Sequence, residues 1–408
     1  MANCETPFLS RRRLMQMGGS LGAWAYIPAF ARAADARDPR LVVMILRGAM
    51  DGLSAVAPIA DPDYADLHGA LALQWGGPNA ALPLDSFFGL NPSMPQFARL
   101  FRARQAMVVH ATATNYRERS HFDGQDVLES GMLAPGLVQS GWLNRALSAL
   151  PKGTRIAQKG GLAVGTVPPL IMRGAANTLG WAPSGLVAPT ADLTARLLNL
   201  YAQNDHDLAK TLQAGLDAEQ MATKQGMDAL KPGGDIAATM QKAASGAARL
   251  IAADDGPRIA ALAFDGWDTH VNEGGATGRL AQLLGGLDGA FAAFEKELGA
   301  HWKDTIVVAV TEFGRTARIN GTTGTDHGTG TAAFLAGGAL AGGRIIADWP
   351  GLKTADLFEA RDLKPTTDLR AVLKGVLADH LGLSADVLAR QVFPDTLGVK
   401  PMGGLVAG

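Results

Sequence analysis

Five short apolar runs containing β-branched residues constrain the fold of this chain more than any other feature. Runs of this kind are typical of strands that are buried on both faces of a sheet. They occupy residues 41–46, 106–110, 259–264, 305–311 and 331–335. Helical patterns lie at residues 94–104, 123–129, 142–150, 193–204, 237–252, 279–298 and 367–380. Strands alternating with helices predict an α/β fold, a three-layer α/β/α sandwich around a mainly parallel sheet.

The length of the chain suits one large α/β domain, since 47% of its 408 residues are hydrophobic and 18% are charged. We expect this domain to span residues 35–400. One region differs in character, because Gly-Pro-rich apolar segments there lead into a long, charge-bearing helical stretch. This change predicts a helical cap or insertion around residues 175–256 that shapes substrate access.

The N-terminal segment carries Arg11-Arg12-Arg13, then a weakly apolar run over residues 17–30, then Ala31-Arg32-Ala33. This order predicts a twin-arginine export signal over residues 1–34. The alternative is a basic N-terminus without regular structure. The apolar run is shorter than the roughly 20 residues that a bilayer needs, so we expect no stable membrane span in the mature chain. The mature protein is then expected in the periplasm or outside the cell, with the twin-arginine translocation machinery as a partner.

Charge and cysteine content exclude several classes of function. The formal net charge of -1 gives no reason to expect attraction to nucleic acid, so no nucleic-acid partner is predicted. The only cysteine, Cys4, falls inside the predicted signal. Disulfides, thiolate ligands and cysteine nucleophiles are therefore excluded from the mature chain. A metal would be bound by imidazole, carboxylate, carbonyl, hydroxyl or water.

Polar clusters follow four of the predicted strands, at the edge where open α/β sheets bind ligands. The clusters contain Arg47 and Asp51 after the first strand, Ser120 and His121 after the second, Asp268 and His270 after the third, and Glu312 and Arg315 after the fourth, with Asp326 and His327 one loop later. We expect one site to collect them.

The two Asp-His pairs are the strongest candidates for metal ligands. In an extended segment Asp268 and His270 point to the same side, as a ligand pair requires. Asp326-His327 lies in a glycine-rich loop, where neither helix nor strand accounts for it; the structural alternative is an Asx turn. Carboxylate oxygen together with imidazole nitrogen suits Zn, Mn or Fe, which can polarise a phosphoryl or sulfuryl oxygen.

Structural roles remain open for the other candidates. Asp51 could simply form a turn, and Ser120 could cap a helix. Alternatively, Ser120 stands at the positive end of that helix as a metal-activated nucleophile, with His121 as a ligand or general acid. Glu312 and Arg315 could form a salt bridge that closes the sheet, or take part in the site.

The ordered motifs of the chain resemble the DUF1501 family of exported bacterial proteins over roughly residues 40–393. They are the twin-arginine leader, LRGAMDGLS, NYRERSHFDGQDVLESG, FDGWDTHVNEGG, TEFGRTARINGTTGTDHGTG and a closing leucine-rich helix. This family is similar in turn to the alkaline phosphatase and sulfatase superfamily, whose members carry metal ions at the carboxyl end of a parallel sheet. The resemblance implies an alkaline-phosphatase-like fold.

The resemblance also implies roles for individual residues. Asp51 matches the first metal aspartate, Ser120 or His121 occupies the nucleophile region, Asp268 with His270 matches a ligand pair, and His327 with Asp326 matches the late histidine. The chain departs from the pattern at Glu312-Phe313, where the superfamily usually has Asp-His. It also lacks the sulfatase signature of Cys or Ser followed by x-Pro-x-Arg. These departures favour a single-metal or altered site over a two-zinc phosphatase site.

The leading hypothesis is an exported, metal-dependent hydrolase that acts on a small anionic substrate, a phosphate or sulfate ester. We expect one or two divalent ions, Zn or Mn first, with Ca or Mg as alternatives. The predicted ligands are Asp51, Asp268, His270, Glu312, Asp326 and His327. The predicted catalytic groups are Ser120 as the nucleophile, His121, Glu312 as a general base, and Arg47 and Arg315 as groups that neutralise the substrate anion.

Three alternatives stay open. Hydroxide generated at the metal could attack in place of Ser120. The protein could be a non-catalytic exported scaffold or accessory protein that keeps this fold with a degenerate metal site. A carbohydrate- or peptidoglycan-binding module is the weakest alternative, because only 6% of the residues are aromatic.

Overall fold

The computed structural model of the protein describes residues 37–151, 154–182, 191–205, 209–210, 212–213, 215–217 and 235–407. The predicted export signal, residues 1–34, lies outside this range. From Pro39 onward the described residues belong to one compact unit. Within the described residues, no helix combines the length and the apolar character that a membrane span requires.

A nine-stranded sheet runs through the described part of the chain. Its strands are β1 (Arg40–Arg47), β2 (Ala106–Ala113), β3 (Gly161–Val164), β4 (Thr178–Trp181), β5 (Ile259–Asp265), β6 (Thr305–Val310), β7 (Thr331–Ala336), β8 (Arg344–Ile346) and β9 (Thr367–Asp368). All five strands predicted from the apolar runs are present. The other four are too short, at two to four residues each, for an apolar run to reveal them.

Parallel pairing dominates this sheet, as the alternation of strands and helices predicts. The strand order is β8-β2-β7-β6-β1-β5-β3-β4, and β9 also pairs with β2. β1 lies parallel to β5 and β6, whereas β7 runs antiparallel to both of its neighbours, β2 and β6. Because β7 reverses direction between them, β1, β2, β5 and β6 all point the same way. Their carboxyl ends therefore meet at one edge.

Helices cover both faces of the sheet. They are α1 (Pro95–Arg102), α2 (His121–Ser130), α3 (Trp142–Ala149), α4 (Ala191–Asn204), α5 (Ile236–Ala252), α6 (Arg279–Leu298) and α7 (Leu369–Leu381), with shorter helices at Gly52–Ala55, Tyr64–His68, Arg155–Lys159 and Ala385–Val387. Alternate residues of β1 pack into two separate cores, Val42 and Met44 with α5 and α6, Val43 and Ile45 with α3 and α7. The predicted three-layer sandwich is confirmed.

The cap predicted around residues 175–256 stays a prediction, and the structure describes the two ends of this range. β4 is an edge strand of the main sheet, and α5 packs against α6 in the core. Gly246 shows why this packing is tight, because a Cβ there would lie 2.2 Å from the Trp181 ring. The glycine-rich composition of this region, which predicts an insertion, allows a helix and a strand to pack closely at Gly246. Of the middle of this range, residues 183–190 and 218–234 lie outside the described residues.

A buried carboxylate connects two helices of one layer. Asp288 of α6 accepts hydrogen bonds from the backbone N–H groups of Gln96 and Phe97 in the first turn of α1, at 3.1 and 2.7 Å. Burial raises the pKa of Asp288 to about 6, against the opposing effect of the two N–H donors. Ionisation of the Asp288 carboxyl therefore destabilises the folded state.

We expect Asp288→Asn to remove the pH dependence that this carboxyl contributes. Its folded-state pKa of about 6 exceeds the ordinary value of 3.8, so the folded state holds the proton more tightly and stability falls as the pH rises between these values. Across that range, the free energy of unfolding of wild type relative to D288N should drop by about 2 kcal/mol. Denaturant unfolding measures it, with the exposed Asp379→Asn as control. Parallel pH profiles for wild type and D288N would contradict this assignment.

Candidate metal centre

The carboxyl ends of the central strands position the predicted site residues. β2 leads into α2, whose first residue is His121, and β5 leads into the loop that carries Asp268 and His270. The loop between β6 and β7 returns His327 to the same edge, where it forms an isolated bridge with Arg315. Residues that are far apart in sequence thus meet because their strands run in the same direction.

Three imidazoles and one carboxylate converge at this edge. Nε2 of His327 lies 2.9 Å from Nε2 of His121 and 2.9 Å from Nε2 of His270. The Asp268 carboxylate lies 3.3, 3.0 and 3.2 Å from Nε2 of His121, His270 and His327, respectively. One ligand atom from each of His121, Asp268 and His327 lies within 4.8 Å of the other two. His270 adjoins this group, and all four side chains are partly exposed.

Hydrogen bonds on the opposite ring nitrogens fix the tautomer of each histidine. The Nδ1 partners are Glu312 Oε1 for His121 at 2.8 Å, Asp326 Oδ1 for His270 at 3.3 Å, and the carbonyl oxygen of Arg119 for His327 at 2.9 Å. Carboxylate and carbonyl oxygens only accept hydrogen bonds, so each Nδ1 carries the proton. Each neutral ring therefore presents a bare Nε2 lone pair to the cluster.

These lone pairs require a positive charge among them. Nitrogen lone pairs 2.9 Å apart repel each other, and one added proton can satisfy only one of the two contacts at His327. The pKa of His121 is raised, first by its hydrogen bond to Glu312 and also by the charge of Asp268. The pKa of His327 is lowered, mainly by burial and further by the positive charge of His121. The arrangement suits one shared cation better than several protons.

The donor set fits a divalent transition metal. Imidazole nitrogen with one carboxylate suits Zn, Mn or Fe, whereas Ca and Mg prefer oxygen ligands. Oxygen acceptors on the far nitrogen of each ring are also typical of metal-binding histidines in proteins. His121, Asp268 and His327 are the residues that would hold the ion, with His270 beside them.

Glu312, predicted as a ligand or general base, lies behind His121. Its buried carboxylate accepts hydrogen bonds from His121 Nδ1, from the backbone N–H of Gly48 at 2.8 Å and from Gln125 Nε2 at 3.1 Å. Burial raises the pKa of Glu312, but these hydrogen bonds outweigh burial and lower it. The ionised carboxylate orients His121 and adds negative charge beside the cluster.

Arg315, predicted to neutralise a substrate anion, orients Asp268. Its side chain is buried, NH1 donates to Asp268 Oδ1 at 2.7 Å, and Nε donates to Thr325 Oγ1 at 3.0 Å. Burial raises the pKa of Asp268, but the hydrogen bond and charge of Arg315 outweigh it and lower the pKa. Arg47, predicted for the same role, pairs with buried Glu129 at 2.5 Å, near the C-terminal end of α2.

Asp51, predicted as a ligand, belongs to a separate buried cluster. It caps the helix Gly52–Ala55 by accepting a hydrogen bond from Leu53 N at 2.9 Å, and it lies 3.2 Å from His68 Nε2. Burial raises the pKa of Asp51, but the charge and hydrogen bond of His68 outweigh it and lower the pKa to about 2. The pKa of neighbouring Glu273 is raised well above its ordinary value by burial and by Asp51. Asp51 thus forms the turn and helix cap that the sequence left open as its structural alternative. Asp326, also predicted as a ligand, accepts a hydrogen bond from His270 Nδ1 and orients that ring.

Phe313 packs against the cluster on the side of His121 and His327. Its ring centroid lies 5.0 Å from that of His121, nearly parallel, and 5.4 Å from that of His327. It is buried with Ala49 and Tyr116. A phenyl ring offers no ligand atom, so this side of the cluster favours one ion over two.

Ser120 precedes the cluster at the N-terminus of α2. It is the N-cap residue, yet its side chain makes no capping hydrogen bond, and its backbone N–H donates to the Tyr116 hydroxyl at 3.2 Å. The hydroxyl is therefore not used for capping. Ser120 directly precedes His121 in the chain, at the positive end of a ten-residue helix.

Sequence reasoning did not identify three contributions to the site. Gln125 follows His121 by four residues on the same face of α2, and this spacing was a usable signal. The stacking of Phe313 and the carbonyl of Arg119 carry no sequence signal, because any residue has a carbonyl. Arg119 adopts φ 61°, a left-handed conformation that turns the backbone at this point.

Residues 38–392 match a family described as a protein of unknown function, DUF1501. The chain belongs to the DUF1501 family. The match includes every residue of the histidine cluster and confirms the resemblance that the motifs indicate. No match was found among curated proteins.

Solved structures with detectable similarity share little sequence with this DUF1501 protein. Ps i-CgsB, in complex with k-i-k-neocarrahexaose, is 10% identical with a TM-score of 0.42, covering 89% of this chain and 77% of that chain. The C-terminal periplasmic domain of EcEptC from Escherichia coli, in complex with Zn, is 11% identical with a TM-score of 0.28, covering 74% and 73%. A protein in the alkaline phosphatase superfamily from Vibrio parahaemolyticus is 11% identical with a TM-score of 0.28, covering 74% and 62%.

We expect the purified protein to bind about one equivalent of a transition metal, and His327→Ala to lose it. His327 is the residue whose Nε2 contacts both other imidazoles. Elemental analysis measures the content, and the change in Tm on chelation reports binding without an activity assay. His301→Ala, outside the cluster, is the control. Equal metal content in wild type and H327A would contradict the site.

Glu312→Gln should weaken metal binding by about 10- to 100-fold, because it removes the carboxylate that orients His121. Titration against a chelator of known affinity measures this change. Glu295→Gln, at a partly exposed ion pair with Arg99, should bind the metal as wild type does. An unchanged affinity in E312Q would exclude an orienting role for Glu312.

Proposed function

We propose that the protein is a metal-dependent hydrolase of phosphate or sulfate esters. The observation that carries this proposal is the convergence of bare Nε2 atoms on one carboxylate, at the carboxyl edge of a mainly parallel sheet. A bound divalent ion would supply positive charge against the developing negative charge of a phosphoryl or sulfuryl oxygen, and would lower the pKa of a nearby hydroxyl.

The N-terminus of α2 would bind further oxygens of the ester. Backbone N–H groups in the first turn of a helix have no partner within that helix, and the helix dipole adds positive charge there. α2 begins with His121, so this end lies directly beside the cluster. Since Arg47 and Arg315 are paired with carboxylates, the helix end takes the anion-binding role that the sequence assigned to them.

Ser120 would act as the nucleophile. Ser120 directly precedes His121 in the chain, and its side chain makes no capping hydrogen bond. Oγ would form a bond to phosphorus or sulfur while the bond to the leaving alcohol oxygen breaks, and the hydroxyl proton would pass to solvent. Water would then cleave the ester on Ser120 and regenerate the hydroxyl.

We further propose that the protein acts outside the cytoplasm, after export by the twin-arginine route. Support for this part comes from the sequence of residues 1–34, with its arginine cluster, weakly apolar run and small-residue cleavage site. Metal insertion before translocation would suit a centre built from loops that are far apart in sequence.

A second candidate is a non-catalytic accessory protein in which the ion only stabilises the fold. Phe313 is the observation that favours it, because its ring excludes a second ligand where the superfamily has one. In this case removal of the metal would lower Tm, while no ester would be turned over by the metal-loaded protein.

We expect the metal-loaded protein to hydrolyse at least one member of a panel of phosphomonoesters, phosphodiesters and sulfate esters. Ser120→Ala should keep its metal and lose about a thousandfold or more in kcat, because it lacks the attacking oxygen. The exposed Ser148→Ala is the control. Wild-type kcat in S120A would assign the attack to water, and a panel without any turnover would favour the accessory protein.

A further inference from the structure

A cavity of about 360 Å³ adjoins the metal centre on the side of Asp326. This volume is enough for a small organic group. Asp326 forms part of the wall, and its Oδ1 atom also lies 3.3 Å from His270 Nδ1. The cavity therefore begins one imidazole ring away from the nitrogen atoms that converge in the cluster.

Two of the residues that line this cavity, Arg318 and Arg361, keep hydrogen-bonding capacity for a ligand. Arg318 lies 3.8 Å from Asp66 Oδ2, and Arg361 lies 3.6 Å from Asp362 Oδ1. Both distances exceed that of a hydrogen bond. Among the described residues, neither guanidinium makes a side-chain hydrogen bond, and the two side chains are 63% and 40% exposed. An anion could gain charge-assisted hydrogen bonds here without displacing existing ones.

The remaining lining suits an organic group that carries such an anion. Oδ1 of Asp326 accepts hydrogen bonds from Asn320 Nδ2 at 3.1 Å and from His270 Nδ1, which stabilise this carboxylate. Leu67 and Leu357 also line the cavity and add apolar surface. The cavity thus combines a wall next to the reacting centre with apolar contacts and two cations.

We propose that this cavity, the arginine pocket of Arg318 and Arg361, binds a second anionic group on the leaving group of the substrate. The inference rests on the proposed ester hydrolysis at the metal centre. The substrate class is then a phosphate or sulfate ester of a small, partly apolar alcohol or phenol that also carries a carboxylate, phosphate or sulfate. Esters whose leaving group carries no second anionic group do not bind in the arginine pocket.

Matched esters test this proposal. Phenyl phosphate and 4-carboxyphenyl phosphate, and the corresponding sulfates, differ by one carboxylate that is remote from the reacting bond. Arg361→Gln and Arg318→Gln should each lower kcat/KM for the carboxyphenyl ester about tenfold, mainly through KM, and leave the phenyl ester within about twofold. Arg390→Gln, an exposed arginine paired with Asp386, is the control. Equal changes in kcat/KM for both esters, or no change for either, would contradict the proposed role of the arginine pocket.

A binding measurement separates failure of the pocket from failure of the proposed function. Calorimetric titration of the metal-loaded protein with phenylphosphonate and with 4-carboxyphenylphosphonate requires no turnover. Tighter binding of the carboxylated compound in wild type, lost in R361Q, supports the pocket even if no ester is hydrolysed. Equal affinity for the two compounds, or binding of neither, overturns it.

Discussion

The Nδ1 hydrogen bonds of His121, His270 and His327 are the interaction on which the rest of the site depends. Each is made to an oxygen that can only accept, so each ring presents a bare Nε2 atom to the same small volume. The Asp268 carboxylate faces these atoms and is kept ionised by buried Arg315. A cation resolves the repulsion among the nitrogen atoms and balances the carboxylates. This geometry is the basis of the proposed metal dependence.

Close approach of loops makes this geometry attainable. Gly48 has φ 121°, and a Cβ on it would lie 2.4 Å from the backbone N of Asp268. Gly324 also has no room for a side chain, because a Cβ there would lie 2.3 Å from the carbonyl oxygen of His270. Side chains at either position would separate the strand ends. The glycine-rich character of these motifs therefore reflects packing between loops rather than flexibility.

The sequence predicted the sheet, both helical layers and the edge that carries the site, because apolar periodicity and strand direction depend on local pattern. It also grouped His121, Asp268, His270 and His327 in one predicted site, and the structure places these four side chains together. It did not separate ligands from the residues that orient them, since Glu312 and Arg315 look alike in either role until distances are known. Asp51 illustrates the same limit: a carboxylate at a strand end can cap the next helix as readily as it can bind a metal.

Anomalous diffraction from crystals of metal-loaded protein tests whether a metal ion binds at the three histidines. Data collected above and below the absorption edge of the bound metal locate the ion without reference to activity. We expect one anomalous peak, bonded to Nε2 of His121, Nε2 of His327 and the Asp268 carboxylate. A peak at Asp51 and Glu273, or no peak near the three histidines in protein that carries stoichiometric metal, would contradict it.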